Sequence, residues 1–355
     1  MPSGHINVRH ERWADPLDFA VVADEEAVAR LNAAGYFLHT LNGDIYRADG
    51  SGGITVQRPG GFNKVFACRQ ARYKDGKVMR AGEAWLRSPS RREYDHIGYW
   101  PEHHGLPAKS FNLWQGGGVE PRQGDWAPIY EHILDVVARG DQDKADYILN
   151  WCAHLIQRPW EKPRVALILK GAKGTGKTLV THILGRLIGK KNILITADGK
   201  KLFERFNWQL ADKLLIGAEE AFFAGDRALN DKLKHLLTGD EVEVEQKYGH
   251  RLSIGSMHRV IMTSNHGNIV DMTDDERRFF VCDVSDKRRG DDAYFGRMWR
   301  IINGEDECTL AAFMHELKTR DITNWTPDKG ARNSAAVHVA RKRLLTLICA
   351  RASRQ

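Results

Sequence analysis

Cysteine is scarce in this chain: five thiols (Cys68, Cys152, Cys282, Cys308 and Cys349) are scattered over 355 residues, an odd number with no CxxC pair. That excludes a disulfide framework and a zinc knuckle built on thiols, and the adjacent His103 and His104 have no nearby thiol or third histidine to complete a metal site. Long apolar runs are also missing. No stretch of 18 apolar residues occurs, so a membrane-spanning helix is not expected. The opening MPSGHINVRHERWADP lacks the apolar core of a secretory signal, and the expectation is a reduced, cytoplasmic protein that is not secreted.

What is present is close to a globular average, with 42% hydrophobic and 28% charged residues. At roughly 100 to 200 residues per domain, the length predicts two to three domains. The net charge of +7 is uneven: residues 51–100 hold 10 basic and 4 acidic side chains, and residues 151–200 hold 10 and 2. The first basic block, Arg58 to Arg92, is interleaved with Phe62, Phe66, Tyr73 and Trp85. It reads either as a nucleic-acid surface of phosphate contacts and stacking rings or as the solvated face of a small domain, and composition favours the latter.

Residues 1–120 are cut into short pieces by glycine and proline and predict a small mixed α+β accessory domain. Within it, DEEAVARLNAAG suits a helix closed by Gly35, and YFLHTL and KVFAC suit strands. Residues 121–160 predict a helical connector. APIYEHILDVVARG puts Ile129, Ile133, Val136 and Val137 on one face, and DKADYILNWCAHLIQ repeats the period with Tyr147, Ile148, Trp151 and Leu155. From 161 to 320 apolar runs alternate with helical stretches, which predicts an α/β domain with a parallel sheet flanked by helices. Residues 321–355 form a basic C-terminal tail.

The strongest motif is VALILK-GAKGTGKT-LVTHILGRLIG. A buried strand leads into a loop of Gly171, Ala172, Lys173, Gly174, Thr175, Gly176, Lys177 and Thr178, and Leu179, Ile183, Leu184, Leu187 and Ile188 give the following helix its apolar face. The glycines let backbone N–H groups close around phosphate oxygens, Lys177 reaches the β- and γ-phosphates, and the Thr178 hydroxyl can ligate Mg²⁺. The expected cofactors are therefore ATP and Mg²⁺, in a P-loop NTPase fold.

About 40 residues on, LLIGAEE ends an apolar strand in Glu219 and Glu220. In a parallel sheet the carboxyl ends of strands share one edge, so these acids are expected to face the loop, Glu219 toward the metal and Glu220 as the base for water. An adjacent acid pair is also common at helix starts. RVIMTSN ends a third strand in Asn265, placed to orient the lytic water or simply to cap a turn. In DDERRFF, Arg277 and Arg278 are expected on a loop beside the sheet edge. They either pair with Asp274, Asp275 or Glu276, or act as a finger on the phosphate of a neighbouring subunit.

Taken in order, GAKGTGKT, LLIGAEE, RVIMTSN and DDERRF resemble the superfamily 3 helicases of viruses and plasmids, an AAA+-like group. The closest likeness is to the helicase half of phage and poxvirus-type primase-helicases. SFNLWQGGGVEP, ILNWCAHLIQRPWEKP and FERFN also look like segments flanking the ATPase in such proteins, so the resemblance covers about residues 110 to 290. It implies a hexameric ring with each site built between neighbours, and a hairpin from each subunit that grips single-stranded DNA, with RNA a weaker candidate. DEVEVEQKYGHRLSIGS matches that hairpin, with Lys247, Tyr248, His250 and Arg251 at its tip; Lys232, Lys234 and His235 are weaker candidates on the helix before it.

Two departures stand out. Glu219 takes a place where the family often has Asp, and a primase-polymerase site needs a strand-borne acidic pair that is missing: Asp141-Gln-Asp143, the one DxD in the first 150 residues, reads as a helix cap. The expectation is a DNA helicase of phage or mobile-element replication, an ATP hydrolase in a host or virus-infected cell, with a primase or polymerase as a separate partner. Other readings are a packaging-type DNA motor and an NTP-gated DNA-binding scaffold with little turnover.

Overall fold

The structure, a computed structural model, describes residues 17–50, 53–219, 226–247, 249–265 and 276–331. The chain divides into two compact units. One holds residues up to 97 with 107–111 and 246–251, and the other holds 98–106, 112–245 and 252 onward.

The first unit carries β1 (Val21–Ala23), α1 (Asp24–Ala33), β2 (Tyr36–His39), β3 (Ile45–Ala48), β4 (Ile54–Gln57), α2 (Pro59–Val65), β5 (Gln70–Arg72), β6 (Val78–Arg80), α3 (Ala81–Arg87) and β7 (Glu93–Tyr94). They form two small sheets, ordered β4-β3-β2-β7 and β1-β5-β6. Helix α1 has acids at Asp24, Glu25 and Glu26 in its first turn, which suits the helix dipole. It gives way to Gly35 at φ +88°, where a Cβ would collide with the Ala48 carbonyl.

The segment KVFAC departs from its expected strand. Pro59 opens a helix at its first turn, and Phe62 and Phe66, one turn apart, both point inward to meet Tyr36 edge-on, with Trp85 against Phe62. Phe62, Phe66 and Trp85 are fully buried. Three aromatic members of the basic block are thus the core of this unit rather than a stacking surface, Tyr73 is half-buried against that core, and the arginines and lysines are mostly a solvated face.

Two short strands, β8 (His96–Gly98) and β9 (Ser110–Asn112), pair with each other. The second unit then builds α4 (Ala127–Glu131), a π-helical turn (His132–Val137) and α5 (Gln142–Gln157). The expected single α-helix is interrupted because the wider turn brings His132, Ile133, Val136 and Val137 inward together, all buried. Asp141 caps α5, accepting from Lys144 N at 3.1 Å, so the DxD sequence is a cap as its context indicated.

Five strands follow: β10 (Ala166–Lys170), β11 (Ile193–Thr196), β12 (Leu215–Ala218), β15 (Arg259–Ser264) and β16 (Phe279–Asp283). All neighbours pair parallel, in the order β11-β12-β15-β10-β16. The four strands after the β11 edge are buried almost throughout, because helices cover both faces and leave no polar side to alternate with. After α4 and α5, the further helices among the described residues of this unit are α6 (Leu179–Ile188), α7 (Arg227–Thr238), α8 (Asp292–Asn303) and α9 (Glu307–Thr319); a hairpin, β13 (Glu241–Glu245) with β14 (Arg251–Gly255), stands between α7 and β15. Among the described residues no helix is long and apolar enough to cross a membrane.

Candidate nucleotide site

Strand β10 ends at Lys170, and residues 171–178 turn into α6. Two glycines of this loop sit in the left-handed region, Gly174 at φ +77° and Gly176 at φ +85°. At Gly176 space is as limiting as backbone: a Cβ would lie 2.9 Å from Phe295 Cε1 and 3.0 Å from His132 Cε1. A Cβ on Gly171 would come 3.2 Å from the Val284 backbone oxygen. Inside the turn Lys177 is 7% exposed, and its Nζ donates to Gly171 O (2.8 Å), Ala172 O (2.5 Å) and Asn265 Oδ1 (3.0 Å). Thr175 Oγ1 donates to Ala172 O at 2.9 Å. Thr178 precedes α6, and its hydroxyl makes no cap bond to that helix.

The register of the sheet decides what faces this loop. Lys170 pairs with Ser264 across β10 and β15, and Gly171 N donates to Ser264 O, which sets Asn265 beside the loop. One strand further, Glu219 follows β12 and is tied down by Glu219 N to Thr196 O at 2.8 Å. Its Oε1 is buried with no hydrogen-bond partner and lies 3.7 Å from Nε2 of His182, one turn into α6. Glu220 lies outside the described residues. Among the described residues no cluster of three or more His, Cys, Asp or Glu side chains forms a ready-made metal cage, so a divalent ion here would need substrate oxygens to complete its shell.

Of the loop's lysines, Lys170 does not join the site: its Nζ pairs with Asp283 Oδ1 at 2.7 Å, a bridge between neighbouring strands. Lys173 is exposed on the loop.

Arg277 and Arg278 lie just before β16. That is the amino end of the sheet, since Arg278 O accepts from Ala166 N at the start of β10. The length of a five-residue strand, about 16 Å at 3.3 Å per residue, separates them from the loop of residues 171–178 in their own chain. The two also differ from each other. Arg278 donates from N (3.0 Å) and Nε (2.9 Å) to Oε1 of Glu276, a carboxylate only 4% exposed, whereas Arg277 is exposed.

The hairpin tip is less open than its charge indicated. His250 donates from its backbone N (3.1 Å) to Oδ2 of Asp44 and sets Nδ1 2.7 Å from the same oxygen, on a carboxylate 1% exposed. Gln246 Nε2 donates to Ile54 O at 3.2 Å. His250 is thus engaged by the first unit's compact body, while Lys247 and Arg251 are exposed and Tyr248 lies outside the described residues. On α7, Lys232 and His235 are exposed and Lys234 is half-buried.

Three buried groups were not legible as site residues. His132, in the π-helical turn, is fully buried behind Gly176, with Nδ1 2.7 Å from the Tyr294 hydroxyl of α8. Burial pushes its pKa down to about 4, so the ring is neutral. At the amino end of β15, Arg259 is fully buried and donates to the carbonyls of Arg158, Pro159, Glu161 and Met257. Beside it Lys162 Nζ donates to Leu236 O, Gly239 O and Ser256 Oγ, and burial lowers its pKa to about 7. These two cations close the carbonyl ends of α5 and α7, where the helix dipole favours positive charge. The one signal available for His132 was a polar residue on the apolar face of EHILDVV.

Residues 169–278 match the model of a family of unknown function, DUF5906. The DNA Primase-polymerase of Nitratiruptor phage NrS-1 is 26% identical over 160 residues, 44% of this chain and 22% of that protein. The chain thus spans about a fifth of the length of that relative. An A form apo structure of the NrS-1 C-terminal region superposes with a TM-score of 0.62 at 18% identity, covering 86% of this chain and 71% of that one. A second apo structure of that region gives 0.61 at 18% identity, covering 92% and 76%. The mixed α/β architecture, with a parallel sheet flanked by helices, is shared with the C-terminal region of the NrS-1 protein.

Proposed function

We propose that this chain binds ATP with Mg²⁺ and hydrolyses it between subunits of a ring that moves along single-stranded DNA, a superfamily 3 helicase of phage or mobile-element replication. The observation that carries this reading is the approach of Lys177 Nζ to Asn265 Oδ1 at 3.0 Å, on the edge where Glu219 also ends its strand. Strand β10 lies between the later strands β15 and β16, a reversal of strand order, and open α/β sheets hold ligands at such a point.

The residues fit the groups they are asked to hold. Gly174 and Gly176 hold the left-handed backbone that turns the loop, and at Gly176 a Cβ would also collide with Phe295 and His132. Glu219 Oε1, buried with no hydrogen bond, and the Thr178 hydroxyl would hold Mg²⁺, which when bound would offset charge on the β- and γ-phosphates. Lys177 exchanges its two loop carbonyls for phosphate oxygens. Asn265 orients the attacking water, Glu220 takes its proton, and Arg277 or Arg278 of a neighbouring subunit steadies the charge that develops. A finger at the amino edge cannot serve its own site, which supports the ring.

Lys247, Tyr248 and Arg251 are the nucleic-acid contacts in this reading. Similarity to a phage DNA primase-polymerase supports a place in phage DNA replication and a primase or polymerase as partner. ATP hydrolysis by the purified chain, measured with and without a single-stranded oligonucleotide alongside mass in solution, tests the proposal. Hydrolysis that rises with DNA, and a nucleotide-dependent oligomer, are expected. A monomer whose hydrolysis ignores DNA would refute the translocase.

A further inference from the structure

We infer that His132 is a positioning residue for the phosphate loop, which it holds from behind through Gly176. This inference rests on the nucleotide reading given above. The ring is fully buried, in a π-helical turn, an arrangement that widens the helix and often marks a working site. Its Nδ1 stands 2.7 Å from the Tyr294 hydroxyl, and Tyr294 is itself held under the Arg288 guanidinium at 4.9 Å. Its Cε1, the ring atom next to Nε2, lies 3.0 Å from the place a Cβ on Gly176 would take, which sets the ring against the loop at Gly176.

Nε2 is buried and makes no hydrogen bond of good geometry here. The Gly176 backbone lies close enough to favour the protonated ring, the direction in which a carbonyl acceptor acts. The neutral tautomer that satisfies both sides accepts from Tyr294 at Nδ1 and carries its proton on Nε2, facing the Gly176 carbonyl.

An orphaned buried donor is costly, and a small loop movement removes the cost. In this structure Lys177 draws the loop closed by donating to Gly171 and Ala172. When the lysine turns to phosphate, the loop opens around the ligand and the Gly176 carbonyl seats on His132. The histidine therefore favours the nucleotide-bound loop, and through Tyr294 it joins that loop to α8.

The test is a set of variants of the whole chain: His132→Leu, His132→Gln, whose amide nitrogen reaches the place of Nε2, and His132→Asn, whose amide reaches only that of Nδ1. Binding of a fluorescent ATP analogue, kcat and KM for ATP, and Tm are measured for each. His132→Leu is expected to raise Kd and KM about tenfold, the size of one buried hydrogen bond, with kcat within about twofold. His132→Gln recovers most of that affinity and His132→Asn does not. If wild type binds the analogue and His132→Leu binds equally well, the assignment is wrong. Equal losses in the Gln and Asn variants, tracking Tm, reduce His132 to packing and overturn it as well. Failure of the wild type to bind any nucleotide instead refutes the nucleotide reading itself, and this assignment with it.

Discussion

The two arginines ahead of β16 differ in their partners, one bonded to Glu276 and one exposed, and removing each in turn tests the proposed inter-subunit site. Arg278 is bonded to a Glu276 carboxylate whose side chain is 3% exposed, while the guanidinium is 34% exposed. Leaving a buried charge unpaired costs about 3–5 kcal/mol. Water reaches this guanidinium and screens the pair, so about 2 kcal/mol is the better figure for Arg278→Ala. In a unit of this size that lowers Tm by about 4–8 °C. Arg277 is exposed, so Arg277→Ala should change stability by less than about 0.5 kcal/mol. Its effect falls on turnover instead, where loss of an arginine finger lowers kcat by about 10³-fold or more. Thermal melts and steady-state ATPase assays with single-stranded DNA separate the two outcomes. Because the strand length keeps Arg277 from its own loop, mixing Arg277→Ala subunits with Lys177→Ala subunits should restore activity that neither has alone. Arg277→Ala with kcat within twofold of wild type, or a mixture that stays inactive, refutes the argument.

Gly176→Ala forces a methyl group against Phe295 and His132 at φ +85°, and a loss of about 1–3 kcal/mol in stability together with nucleotide binding is expected from denaturation and analogue titration. Burial pushes the pKa of His132 to about 4, that of His154 to about 3 and that of His258 to about 4, all from 6.5. The unfolded chain then holds the extra protons between pH 6.5 and the folded values, so stability is full above 6.5 and falls as pH drops toward 4. His258 alone accounts for about 3 kcal/mol across that window. Urea melts of His258→Gln against wild type should show a pH slope shallower by about one proton, and an unchanged slope counts against a buried neutral ring. Replacing Lys247 and Arg251 with alanine should lower DNA stimulation of the ATPase and flatten the salt dependence of DNA binding by about two phosphate contacts in a titration at several salt concentrations; unchanged stimulation removes the tip from the mechanism.

The sheet was legible because a parallel strand covered on both faces must be apolar along its whole length, and VALILK, LLIGA and RVIMTS each carry that run. The glycine-rich turn after β10 was legible for a different reason, since positive φ at Gly174 and Gly176 admits few residues other than glycine. Where the segment was short, residue type misled. KVFAC is a short apolar run that suits a strand, and only the packing of Phe62 and Phe66 on Tyr36, with Trp85 against Phe62, makes it part of a helix and turn. The same packing removes those rings from any nucleic-acid surface.

By itself, then, the sequence determined the elements whose residue types are dictated locally: the strands, the glycine loop, the Asp141 cap and the presence of acids and an amide at strand ends. Tertiary structure alone decided partnership. It set Asn265 on Lys177, sent Lys170 to Asp283, tied His250 to Asp44 and put His132 behind the loop; the Arg278–Glu276 pair, two residues apart, was among the partners the sequence already offered. A charged or polar side chain can satisfy itself in many ways, and which partner it takes depends on neighbours brought together from distant parts of the chain, something no local spacing encodes.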